Sequence, residues 1–168
     1  MKYRIQPWIL VLIMIPVWVT FFACDSDEKN NHQQMLYGEW ELKNIAADVN
    51  AGDDMEKALI QIDLVTTAFP KTGSVITFYT AGDFLIVTHD KEQITGRYTF
   101  SDDKLDMRFD NGGKALMIVW ISGNTMRTEE DYTSRYKYVN TPYPTVEKVI
   151  KINHLIRQIE NSPKTTRI

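Results

Sequence analysis

From residue 74 onward the chain is punctuated by turn residues at short, regular intervals, and that rhythm limits the folds open to it. Segments 74–80, 83–88, 93–101, 104–109, 115–121, 124–130 and 133–140 read as strands. Their links are Ala81-Gly82, 89–92, Asp102-Asp103, 110–114, Ser122-Gly123 and Asp131-Tyr132. Loops this short, rich in Gly, Asn and Asp, join antiparallel neighbours, whereas parallel strands need long crossovers. With Leu36–Ile45 as the first strand, the rhythm predicts an antiparallel, up-and-down barrel of about eight strands.

Side-chain parity supports this reading. Ile94, Gly96, Tyr98 and Phe100 share one side of their segment, opposite Thr95, Arg97, Thr99 and Ser101. Leu105, Met107 and Phe109 oppose Asp106 and Arg108 in the same way. Alternation of this kind gives each strand one buried and one solvated face. Segment 115–121 breaks the pattern. Leu116, Ile118 and Trp120 are apolar on one side, and Ala115, Met117, Val119 and Ile121 on the other, so a cover is expected over its outer face.

The C-terminal segment supplies the expected cover. Pro142 and Pro144 stop the preceding strand, Thr145 fits an N-cap, and Val146–Asn161 reads as a helix. Val149, Ile152, Ile156 and Ile159 fall on one helical stripe, which predicts a C-terminal α-helix packed on the outside of the barrel. Residues 46–58 read as a loop with a short helix beginning near Asp53, and pattern alone leaves 59–67 open between helix and strand.

The N-terminus reads as an address. Lys2 and Arg4 precede an apolar run from Trp8 to Ala23, too short for a comfortable membrane span but suited to an export signal. Ala23 is a small residue beside Cys24, as lipoprotein processing requires, although Phe21-Phe22 departs from the usual aliphatic-then-small pattern. The expected organisation is a signal peptide at 1–23, a lipidated Cys24 with a flexible tether through 35, a barrel domain at 36–161 and a disordered tail at 162–168. The acidic stretch after Cys24 resembles the export signals of surface lipoproteins in Bacteroidetes-type bacteria. Lipid on Cys24 would anchor the chain to the outer membrane of the cell envelope.

Composition excludes several function classes. The chain of 168 residues carries 19 Lys and Arg against 22 Asp and Glu; without Lys2 and Arg4 the balance is 17 to 22. No basic face for phosphate contacts follows from such a chain, so nucleic acid is not an expected partner. The single cysteine, Cys24, cannot form an intrachain disulfide, and lipidation would remove it from thiol chemistry. His89 beside Asp90 offers too few ligands for a zinc site. Glu129, Glu130 and Asp131 lack calcium-loop spacing, and Gly112-Gly113 opens no helix that could cradle phosphate. No residues form a catalytic constellation, so a non-enzymatic protein without a cofactor or metal is expected.

A meander of about eight strands with a C-terminal helix resembles the lipocalin-like domains of many Bacteroidetes lipoproteins, and Gly38-Glu39-Trp40 matches their G-x-W on the first strand. The resemblance implies that Trp40 closes one end of the barrel against an Arg on the last strand, for which Arg135 is placed in sequence. Asp131-Tyr132 resembles the family's T-D-Y element, with Glu130 at the Thr position and the pair nearer the C-terminus. The implied function is a membrane-tethered binder of a small apolar ligand. The interior residues available to line a cavity are Phe78, Tyr98, Phe100, Phe109, Trp120 and Tyr136, with Phe84, Met107 and Met126, although side chains this large can equally fill the barrel and leave no cavity. The alternative is an assembly factor docking on another envelope protein through its surface or its C-terminal helix.

Overall fold

The computed structural model describes residues 33–138 and 143–158; Cys24, the signal peptide expected at 1–23 and the tail expected at 162–168 lie outside them. Eight strands close into one antiparallel barrel: β1 (Gly38–Ala51), β2 (Val75–Phe78), β3 (Asp83–Val87), β4 (Gln93–Ser101), β5 (Lys104–Phe109), β6 (Lys114–Ser122), β7 (Thr125–Asp131) and β8 (Val146–Arg157). Each strand pairs with its neighbour in the chain, and β8 pairs with both β7 and β1. The turns follow the local sequence. Asp102 and Asp103 both take positive φ, which a two-residue hairpin of the favoured twist demands and Asp tolerates.

The closing strand is not the expected one. Val146–Arg157, read above as a C-terminal helix, is β8. Its residues satisfy both patterns, because Val and Ile at 146, 149, 150, 152 and 156 suit a pleated surface as well as a helical stripe. Closure decides between them. β1 and β7 would otherwise present open edges of unpaired backbone, and β8 satisfies both. Thr145 accordingly caps no helix of its own.

Of segment 133–140, expected as the last strand, the described residues 133–138 form instead a short helix, α2 (Thr133–Tyr138). The Asp131 carboxylate accepts from the Thr133 N–H at 2.8 Å and turns the chain out of β7. Hydrogen bonds from Thr133 hold the Asp131 carboxyl below its ordinary range.

The open question at 59–67 resolves as helix α1 (Asp54–Thr67). Asp53 caps it by accepting from the Glu56 N–H at 2.9 Å. Thr145 binds this same helix start: its Oγ1 lies 2.6 Å from a Glu56 carboxylate oxygen and accepts from the Asp53 N–H at 3.1 Å. Ile60 and Leu64 lie a helical turn apart and bury against Val49, Val146 and Val149, where β1 and β8 run past the rest of the barrel. The helix packed on the barrel is therefore α1, drawn from the β1–β2 connection. The main core fills the barrel itself, from Leu36 and Trp40 through Tyr98 and Met107 to Met126 and Leu155. A bulge in β1 between Leu42 and Asn44 resets its alternation, so Leu42 and Ile45 both point inward.

Candidate functional site

One end of the barrel is shut by Trp40. Its indole is fully buried, its Nε1 donates to the Leu36 carbonyl at 2.8 Å, and Arg157 at the end of β8 stacks its guanidinium 4.5 Å from the ring centroid. The expected partner was Arg135. That residue lies on α2, where it reaches Asp63 at 3.7 Å and Thr67 at 3.3 Å and fastens α1 instead. Arg157 was missed because the stretch carrying it was read as helix.

The interior towards the other end holds a cavity of about 40 Å³. Phe69 and Pro70, just after α1, line it where β5 ends at Phe109, and the Phe69 and Phe109 rings meet edge to face at 6.5 Å. The volume suits a few waters, at about 10–15 Å³ for each. It is far below the roughly 300–1,000 Å³ of sites for drug-sized ligands.

The cavity wall has two chemistries. β5 and β6 contribute Leu105, Met107 and Met117, with Met126 from β7. Beside them, β7 and β8 turn four polar side chains inward as two directly facing cross-strand pairs, Thr128 with Asn153 and Glu130 with Lys151. Lys151, only 3% exposed, sets its Nζ 2.8 Å from the Glu130 carboxylate. It donates further to the Phe69 carbonyl at 3.2 Å and the Tyr132 hydroxyl at 3.3 Å, so all three ammonium protons are used. A buried ammonium is tolerable only when paired and hydrogen-bonded in this way. The Asn153 Nδ2 donates to Thr128 Oγ1 at 3.0 Å, while its buried Oδ1 accepts no hydrogen bond from the described residues.

The expected lining residues divide. Phe78 and Phe109 line the cavity. Tyr98 is buried inside the barrel, packs edge to face on Phe78 at 5.1 Å and donates to the Tyr79 carbonyl at 2.7 Å. Burial pushes its phenol up to about 12, reinforced by Tyr37 and Asp83. Phe100 packs partly buried against the same core. Phe84 is inside as well, with Met107 and Met126 on the cavity wall. The other two expectations are corrected. Trp120 points outward and is 44% exposed, because β6 puts its even positions outside. Tyr136 belongs to α2, in the separate cluster beneath α1, where it donates to Asp63 at 2.6 Å. Burial and that hydrogen bond raise its pKa.

Thr128 and Glu130 could have been found from the sequence, since they share parity with Met126. Lys151 and Asn153 could not while their segment was read as a helix. The expected cover over β6 is also absent: among the described residues no element packs on Leu116, Ile118 and Trp120, which are 64%, 44% and 44% exposed. Arg127 lies over the Trp120 ring at 5.6 Å. His89 meets Asp90 at 2.9 Å in an exposed turn, and the described residues contain no group of three or more His, Cys, Asp or Glu placed to hold a metal ion. No described helix is long and apolar enough to cross a membrane. No protein-family model matches the chain, and no curated protein matches it by sequence.

Proposed function

We propose that this chain is a lipocalin-like lipoprotein of the bacterial envelope, anchored through lipid on Cys24, that holds a small molecule inside its barrel without transforming it. The observation that carries this reading is the cavity with an apolar wall and a polar arc of buried Thr128, Lys151 and Asn153 with the partly buried Glu130. A core serving stability alone would do as well or better with apolar residues at these positions, because desolvating an ion pair costs about as much as its attraction returns. The barrel closed by Trp40 under Arg157 agrees with the resemblance on which Gly38-Glu39-Trp40 was singled out.

Extraction of the intact chain purified from its own membranes, followed by mass spectrometry, is expected to release one small molecule in near-stoichiometric amount. A barrel that is reproducibly empty there, and that takes up no added amphiphile, sinks the binding reading. The anchor is tested separately. The N-terminal peptide should carry a diacylglyceryl group on Cys24, and Cys24→Ser should abolish lipid labelling; an intact Met1 at the membrane would refute it.

A second reading is favoured by the exposed row of Leu116, Ile118 and Trp120, through which the chain would dock on another envelope protein. A photo-crosslinker at position 118 should then give one discrete adduct that Trp120→Asp removes. Diffuse or absent adducts count against it.

A further inference from the structure

The polar arc restricts what the barrel can hold, an inference that rests on the binding reading above. Lys151 and Glu130 neutralise each other at 2.8 Å, and the remaining ammonium protons go to Phe69 and Tyr132. An anionic headgroup would therefore meet no free cation and would approach the Glu130 carboxylate. A cationic one would meet Lys151. Asn153 differs from both: 6% exposed and lining the cavity, it leaves its Oδ1 without a donor among the described residues. A buried acceptor left unmatched is costly, and a ligand that supplies a donor recovers that cost. Next to this arc on the neighbouring strands stand the flexible apolar side chains of Met107, Met117 and Met126.

We infer that the barrel selects small uncharged amphiphiles bearing a hydrogen-bond donor, an alcohol or amide, whose O–H or N–H meets Asn153 Oδ1 while the apolar part lies against the methionines. Since the cavity is about 40 Å³, such a ligand enters by displacing the side chains of Phe69 and Pro70, while the Phe69 carbonyl stays on Lys151.

Three probes separate the possibilities: 1-hexanol, its isomer methyl pentyl ether, which accepts but cannot donate, and hexanoate. The intact chain in detergent micelles, labelled with 13C at its methionine methyls, reports occupancy through Met107, Met117 and Met126. At equal free concentration, corrected for partition into the micelle, 1-hexanol should move these three signals about tenfold more tightly than either other probe. Asn153→Leu should erase the advantage of the alcohol over the ether. Ether or hexanoate binding as well as the alcohol to the wild-type chain overturns the inference and leaves the binding reading standing. Failure of all three probes to move the signals overturns both. Should Asn153→Leu fail to fold, the wild-type comparison decides alone.

Discussion

Arg157, at the end of the last strand, covers the face of Trp40 at the start of the first, with the guanidinium carbon 4.5 Å from the ring centroid. The two are directly paired in register, so this contact joins the ends of the barrel sheet where it closes. Trp40→Ala should cost about 3–5 kcal/mol, since it empties a fully buried site. Arg157→Ala should cost roughly 1–2 kcal/mol by removing the cation over the ring. Urea unfolding of both variants and the double variant should show a coupling between them; strict additivity would mean that the stacking contributes nothing.

Breaking the interior ion pair should be worse than abolishing it. Lys151→Ala leaves the partly buried Glu130 carboxylate unpaired beside the cavity and is expected to destabilise by about 3 kcal/mol, the lower end for a broken buried pair. The double variant Lys151→Met, Glu130→Leu replaces both charges by apolar groups of similar size and should recover most of that loss. A double variant as unstable as the single would show that packing, not charge, governs these positions.

Gly96 faces Phe84 on one neighbouring strand and Phe109 on the other, and the two rings meet edge to face at 5.3 Å. A Cβ at residue 96 would press on the Arg108 carbonyl and come within 2.7 Å of the Phe84 ring. Gly96→Ala should therefore cost about 3 kcal/mol, at the upper end for overpacking. A melting temperature within a degree of the parent would contradict this.

Alkaline titration should reveal Tyr98 as a late-ionising tyrosine. Its pKa is raised from 10.0 to about 12 in the folded chain, so its protonated form is favoured by folding. The stability it contributes is complete below about pH 10 and is lost as pH rises through about 12. Absorbance near the tyrosinate band should show a delayed step that Tyr98→Phe diminishes; an unchanged titration would refute the assignment.

Much of the barrel was legible in local pattern because strand alternation and hairpin chemistry act over a few residues. Ile94 to Phe100 and Leu105 to Phe109 face as their parity requires, and Asp102-Asp103 turns where expected. At the candidate site the same rule placed Phe78, Tyr98 and Phe109 inside the barrel. It could not place Trp120, because β6 is apolar on both sides and parity there does not tell inside from outside.

What the sequence determined by itself is a meander of short antiparallel strands, since two-residue turns and period-two alternation are fixed by neighbouring residues. Only the tertiary structure decided which segment closes it. Val146–Arg157 fits a helix and a strand about equally well in isolation, and the unpaired edges of β1 and β7 tip the balance. That closure brings Arg157 to Trp40, and Lys151 and Asn153 to Glu130 and Thr128. Contacts between residues so far apart in the chain depend on strand pairing, which no local pattern near either residue encodes.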